Sequence, residues 1–248
     1  MSTLLLDQIS TRAPHDLDKK ETKKELSGIL EELNALQNLL YAESKHSVLV
    51  VIQGMDASGK DGVIRNVFTS MNPQGVSVTS FKAPTPEELS HDFLWRIHRH
   101  TPGKGMIKIF NRSHYEDILV TRVHGWCDDE LAFKRMKAIN DFEQLITSHN
   151  NTLILKFYLH VSPEEQTERL DERIKNPAKM WKYNAKDYEE AALFSKYRKM
   201  YEDCFENCRY IPWTVVPSDQ NWYKEYLIAS TLRDALKELN MEFPGLKK

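Results

Sequence analysis

Apolar positions along the 248-residue chain recur with two periods, and the places where the period changes outline the elements. In "DLDKKETKKELSGILEELNALQNLLYAESK", Leu26, Ile29, Leu30, Leu33, Leu36, Leu39 and Leu40 return every three or four residues among polar ones. That spacing predicts a long amphipathic helix over 17–45. The next stretch, "SVLVVIQG" from Ser47 to Gly54, is a continuous, β-branched apolar run too short for a helix and stopped by glycine. It has the character of a strand buried on both faces. Further strand-like runs follow: "VSVTSFKAP" from Val76, "GMIKIFNRS" from Gly105, "TLILKFYLHVS" from Thr152 and "WTVVPSD" from Trp213. Helical stretches lie between them, first "KDGVIRNVFTSM", then "DDELAFKRMKAINDFEQLITSHN" with an apolar stripe of Leu131, Met136, Ile139, Phe142, Leu145 and Ile146. Strands alternating with helices predict an α/β fold, a parallel sheet flanked by helices on both sides, with ligands gathered at the carboxyl ends of the strands. The length suits one domain, and there is no internal repeat.

Composition narrows the function classes. Hydrophobic residues make up 41% and charged residues 28%, so the chain is expected to be globular rather than disordered. Its longest apolar runs are strand-length, too short to span a membrane, and "MSTLLLDQISTRAPHDLDKK" lacks the basic leader and long apolar region of a secretion signal. A cytoplasmic location is the expectation. Cys127, Cys204 and Cys208 are too few for a disulfide framework and too scattered for a zinc site, and are read as buried thiols. His91, His98 and His100 in "HDFLWRIHRH" share no single ligand geometry and are read as core and surface residues. The formal net charge of −2 does not point to a nucleic-acid binder. Two basic stretches nevertheless stand out, "FLWRIHRHTPGKGMIK" and "RLDERIKNPAKMWK", and cations so clustered in a near-neutral chain suit an anionic ligand held in a groove.

The first strand runs into "GMDASGKDG", residues 54 to 62, a phosphate-binding loop with Asp61 where a Mg²⁺-ligating Ser or Thr usually stands. Backbone N–H groups from Gly54 through Ala57, Ser58, Gly59 and Asp61 to Gly62, with the helix N-terminus behind them, would cradle phosphate oxygens, and Lys60 would add a point charge. A bland strand-to-helix turn with Lys60 in solvent is the alternative. Asp56 would repel phosphate unless a cation lay between them, which suggests Mg²⁺; helix capping by Asp56 or Asp61 is the other reading. In "IFNRSHYED" the third strand ends at Asn111, Arg112 is shaped to clamp phosphate oxygens, and Ser113 with Glu116 fits a capping box. "RIKNPAKMWKYNAKDY", basic, broken by Pro177 and bearing Trp181, reads either as a lid closing over an anion or as a solvated helical hairpin.

Taken together, "GMDASGKDG", "FKAPTPEELSHDFLWRIHRHTPGKG", "IFNRSHYEDILVTRVHG" and "RIKNPAKMWKYNAKDY" resemble, in order and spacing, the second family of polyphosphate kinases. The likeness runs from about Leu26 to about Leu236. It implies a P-loop, thymidylate-kinase-like fold in a single domain, with a helical lid at about 163–195. It also implies Mg²⁺-dependent phosphoryl transfer between inorganic polyphosphate and a nucleotide. By this resemblance Asp56 is a metal and phosphate-site residue, and Lys60, Arg112, Arg173, Lys179 and Lys182 fall on phosphate-binding positions. Lys82 and Arg122, in the second and third motifs, join them as candidates. Many members end the third strand with Asp in D-R-S, followed by Trp-Tyr-Asn. The "NRSHYED" form resembles instead the subgroup, class III, that phosphorylates AMP as well as ADP, giving ADP and ATP. With Asn111 in the Asp's place, Glu116 is the candidate for the second metal ligand, and Asn111 itself stands with Asp56 and Glu116 among the metal-site candidates. The resemblance further suggests a homo-oligomer, with the first helix as one contact. An ATP-dependent nucleoside monophosphate kinase and a non-catalytic phosphate-binding scaffold are the competing readings.

Overall fold

In the computed structural model, which describes residues 4–246, five parallel strands form one sheet. They are β1 (Ser47–Gly54), β2 (Val76–Ser80), β3 (Ile107–Asn111), β4 (Thr152–His160) and β5 (Trp213–Pro217), in the order β2-β3-β1-β4-β5. Every residue of β1 is buried, as its unbroken apolar run requires. Its register places Val50 opposite Ile109 of β3 and Leu155 of β4. The chain leaves β1 toward one edge of the sheet and later returns to β1's other side as β4. The loop after β1 therefore opens at the point where strand order reverses, the place ligands occupy in open α/β sheets.

Alternate β1 side chains serve two cores. Val48, Val50 and Ile52 pack with α1 (Lys19–Glu43), α2 (Lys60–Phe68) and α10 (Asn221–Glu238). Leu49 and Val51 face α5 (Glu116–Val123), α6 (Asp129–Asn150) and α9 (Phe194–Asn207) on the opposite side. Two short helices, α3 (Pro86–Leu89) and α4 (Trp95–His98), follow β2, while α7 (Pro163–Lys175) and α8 (Lys186–Ala191) form the arch between β4 and α9. The predicted 17–45 helix is α1, started by Asp18, whose carboxylate accepts the Lys20 and Glu21 N–H groups at 2.8 Å. Its inner face packs along α10 of the same chain. None of the described helices is long and apolar enough to cross a membrane. All three cysteines are buried and free.

The stripe expected on α6 differs from the one observed. Leu131 and Leu145 are exposed, whereas Ala132 and Glu143 are buried with Met136, Ile139, Phe142 and Ile146. Glu143 belongs inside because β4 delivers Lys156 beneath it: the pair meets at 2.8 Å, and Lys156 also donates to Tyr115 Oη at 2.8 Å and the Cys208 carbonyl at 2.9 Å. Tyr115 Oη in turn donates to Glu143 at 2.7 Å, so the buried charges sit in a connected polar network. Breaking such a pair leaves an uncompensated charge. Glu143→Gln should therefore lower unfolding stability by about 3–5 kcal/mol in urea titration; a loss below about 1 kcal/mol would show that the remaining partners suffice for Lys156.

Candidate active site

Gly54 ends β1, and the chain turns through the glycine loop into α2. Two residues adopt left-handed backbone here, Ala57 at φ +60 and Gly59 at φ +98. For Gly59 that conformation is cheap; for Ala57 it costs on the order of 1 kcal/mol, as is common at functional sites. No side chain caps α2, so neither Asp56 nor Asp61 plays the capping role allowed by the sequence. Asp61 instead accepts Asn111 Nδ2 at 2.9 Å and Lys182 Nζ at 3.1 Å, tying the loop to the end of β3 and to the α7–α8 arch.

Lys60 is 8% exposed and curls back onto the loop, donating to the Gly54 carbonyl at 2.6 Å and the Met55 carbonyl at 3.0 Å. Burial, with repulsion from Arg112, brings its pKa down to about 8. Arg112, in left-handed backbone at φ +61 just past β3, donates to Asp56 at 2.6 Å. Burial works against the Asp56 charge, yet Lys60 and Arg112 outweigh it and hold the carboxyl below its ordinary range. Asp56 is therefore ionised at neutral pH.

The Ser113–Glu116 capping box does not form. Ser113 Oγ accepts Gln53 Nε2 at 2.9 Å and the Tyr115 N–H at 3.2 Å, and α5 starts without a side-chain cap. Glu116 is freed for another task. It is half-buried, with its carboxyl pushed up by burial against the opposing pull of Arg112 and Lys60, and Asp56 adds to the rise.

Asp56, Lys60 and Arg112 sit at the wall of an open cleft of ≈ 960 Å³, while Glu116, close enough to feel Arg112 and Lys60, does not line it. Of the candidates, Asp56, Ala57, Gly59, Lys60, Asp61, Gly62, Lys82, Asn111, Arg112, Arg173, Lys179 and Lys182 all line it. Gly54 and Ser58 lie beneath the loop, both buried. Arg122 is placed elsewhere: its guanidinium donates to Asp129 at 2.7 Å and Asp203 at 2.9 Å, joining α5 to α6 and α9, and it does not line the cleft. That correction follows from helix direction, since α5 starts at the site and carries Arg122 away from it. Within the arch, Arg173 pairs with Asp187 and Lys179 with Glu172 at 2.5 Å, while Trp181 is 78% exposed.

Of the three candidate metal ligands, Asn111 has its amide turned to Asp61, and among the described residues no three His, Cys, Asp or Glu side chains cluster tightly enough to hold a metal alone. Mg²⁺ needs no such cage, because it commonly takes one or two carboxylates and completes its shell with substrate phosphates and water. An ionised Asp56 on the cleft wall fits that manner of binding.

Sequence reasoning missed Asp187, Gln166, Arg169 and Lys224. Asp187 lies near enough to Asp56 for each to resist the other's charge, Gln166 donates to the Asp56 carbonyl at 2.9 Å, and the two cations reach the loop from behind. Arg169 carried a signal as part of a basic stretch and Asp187 as part of the "RIKNPAKMWKYNAKDY" motif; Gln166 and Lys224 carried none.

Residues 16–244 match the sequence profile of polyphosphate kinase 2. The chain belongs to that family. An AMP/ADP-polyphosphate phosphotransferase of Meiothermus ruber is 45% identical over 228 residues, 91% of this chain and 85% of that protein. An ADP-polyphosphate phosphotransferase of Rhodopseudomonas palustris is 41% identical, over 87% of this chain and 79% of its own length. The crystal structure of polyphosphate kinase 2 from Arthrobacter aurescens TC1 superposes with a TM-score of 0.96 at 39% identity, covering 100% of this chain and 90% of that one. As a polyphosphate kinase 2 family member the chain is a transferase of the phosphate-loop kinase fold.

Proposed function

We propose that this chain transfers the terminal phosphoryl group of inorganic polyphosphate to AMP and to ADP, giving ADP and ATP, with Mg²⁺. One observation carries the reading: Lys60, Arg112 and Asp56 meet at the wall of a cleft along which Arg173, Lys179 and Lys182 continue the cationic lining. A chain of phosphates needs such a path more than a closed pocket. The names of the M. ruber and R. palustris relatives support the donor and the acceptors.

Four cations of this lining are paired with carboxylates inside the protein, Arg112 with Asp56, Lys182 with Asp61, Arg173 with Asp187 and Lys179 with Glu172, while Lys60 is held by two backbone carbonyls. A polyphosphate presents a row of anionic oxygens and can take guanidinium groups in two-pronged fashion, so an entering chain would exchange these pairs for its own. Lys60 and Arg112 would hold the transferred group between them, and the arch would close over it as a lid and exclude water. Asp56, with Glu116 near it, would hold Mg²⁺, which supplies charge neutralisation to the phosphate oxygens. The acceptor phosphate attacks in line. Such a transfer needs position and charge, not a covalent nucleophile on the protein.

The deciding experiment is product analysis of purified protein with Mg²⁺, long-chain polyphosphate and AMP, with no ATP present. Successive ADP and ATP are expected. ATP from ADP alone would remove AMP from the acceptors, and silence with both would favour an ATP-dependent kinase or a non-catalytic scaffold.

Glu116 is the residue on which acceptor choice would turn, because it stands behind Arg112 where the third strand lacks its usual Asp. Glu116→Gln should change the ratio of AMP to ADP use by roughly tenfold, the worth of one hydrogen bond to a charged group. An unchanged ratio, together with an unchanged Mg²⁺ requirement, would leave Glu116 no part in acceptor choice.

A further inference from the structure

Lys224 lies outside the four motifs, on α10, with 1% of its surface exposed. Its ammonium passes behind the phosphate loop and donates to the Ser58 carbonyl at 3.1 Å and to Asn221 Oδ1 at 2.9 Å. A Cβ at position 59 would stand 2.3 Å from that nitrogen, so the loop and the lysine are fitted to each other. Arg169 on α7 completes the backing. Its Nη1 donates to the Ala57 and Ser58 carbonyls at 3.1 and 3.0 Å, and its Nη2 to those of Ser218 and Asp219 at 2.7 and 3.2 Å.

A trans peptide is planar, with its C=O and N–H pointing in opposite directions. Drawing the Ser58 carbonyl back toward Lys224 therefore turns the Gly59 N–H forward, toward the cleft that Gly59 lines. We propose that Lys224 is a positioning residue for phosphoryl transfer, fixing the Ser58–Gly59 peptide so that its N–H faces the phosphate and setting a positive charge behind the loop.

That charge is expensive to keep. Burial, then repulsion from Arg169, brings the Lys224 pKa down to about 7; Lys60 of α2 adds repulsion, while Glu225 beside it on α10 and Glu165 of α7 oppose the shift. The charge is present below neutrality and lost above it, so phosphate affinity should weaken as pH rises through that value.

The role presupposes a phosphate-holding loop, and the test carries that control. Calorimetry would follow binding of inorganic tripolyphosphate, without metal, to the full wild-type chain, Lys224→Met and Lys224→Gln, from about pH 6 to about pH 8, on either side of the lysine's midpoint. Melting temperatures and the split between kcat and KM would be measured alongside. At the acid end Lys224→Met should bind about tenfold more weakly than wild type, the worth of one charged hydrogen bond. Lys224→Gln, with a donor but no charge, should fall between. The extra loss of affinity that wild type shows on raising pH should be absent from both variants, the probe's own titration being common to all three. KM for polyphosphate should move more than kcat, and neither variant should melt earlier.

Wild-type affinity and pH profile in Lys224→Met would overturn the proposal, as would weakened binding explained by a lower melting temperature in both variants. If Lys224→Met fails to fold, Lys224→Gln carries the comparison. A wild type that binds no tripolyphosphate at any pH would overturn the phosphate-loop reading instead.

Discussion

Lys60→Ala should cut turnover with polyphosphate and ADP by roughly a hundredfold or more, because the lost ammonium acts on charge that develops during transfer. The same substitution should not destabilise the protein. Buried against two carbonyls and repelled by Arg112, Lys60 has a pKa of about 8 against 10.5 for a free lysine. The unfolded chain therefore binds more protons than the folded one between those values, and wild-type stability should rise with pH across that window. At pH 7 the buried charge costs on the order of 3 kcal/mol before phosphate arrives. Lys60→Ala should lose that pH slope and melt no earlier than wild type near neutrality. Steady-state kinetics and thermal melting at several pH values check both halves. Wild-type turnover would remove Lys60 from the mechanism, and a large drop in melting temperature would mean that the lysine's two carbonyl contacts outweigh its desolvation.

Asp56→Ala is expected to show a comparable loss in turnover, roughly a hundredfold or more, with a different signature. Asp56 neutralises Arg112 at 2.6 Å, and both Lys60 and Arg112 hold its carboxyl ionised. Removing it leaves a more positive site, so ground-state binding of polyphosphate should be undiminished or tighter while turnover falls. In kinetic terms kcat drops without a rise in KM, the pattern of an interaction made in the transition state. The Mg²⁺ concentration needed for half-maximal rate should rise as well, since the carboxylate that would hold the ion is gone. A Mg²⁺ requirement unchanged from wild type would take Asp56 out of metal binding and leave it as the partner of Arg112.

Much of this architecture was legible in the chain because the signals are local. A β-branched apolar run reads as a buried strand wherever it occurs, and β1 spans the predicted residues. The leucine spacing placed α1 within two residues of the expected ends. Helix caps were less legible. Asp61 and the Ser113–Glu116 pair both satisfied a capping pattern, but such patterns only offer partners, and in each case a longer-range group took the side chain. Asn111 and Lys182 claimed Asp61, fifty or more residues away in sequence; Gln53 claimed Ser113.

The cleft shows the same division. Lys60, Arg112 and the cations of the arch were named from sequence because motif spacing fixes them relative to strand ends, and they line one cleft. Arg122 was named for its place in a motif and lies outside the cleft, since eight helical residues are enough to carry a side chain from the site to a different interface. Leu131 and Leu145 were given to the α6 core by periodicity alone, which cannot register that Lys156 waits on β4 for Glu143.

By itself, then, the sequence determined the strand and helix order, the phosphate loop and the family, because periodicity, glycine spacing and motif order are properties of neighbouring residues. The tertiary structure alone decided which charges face one another. Burial and partners set the pKa values of Lys60, Glu116 and Lys224, and chain packing brought Arg169 and Lys224 behind the loop from more than a hundred residues away. Electrostatic interactions act through space and depend on how much water remains between the groups, and neither quantity exists until the chain has folded.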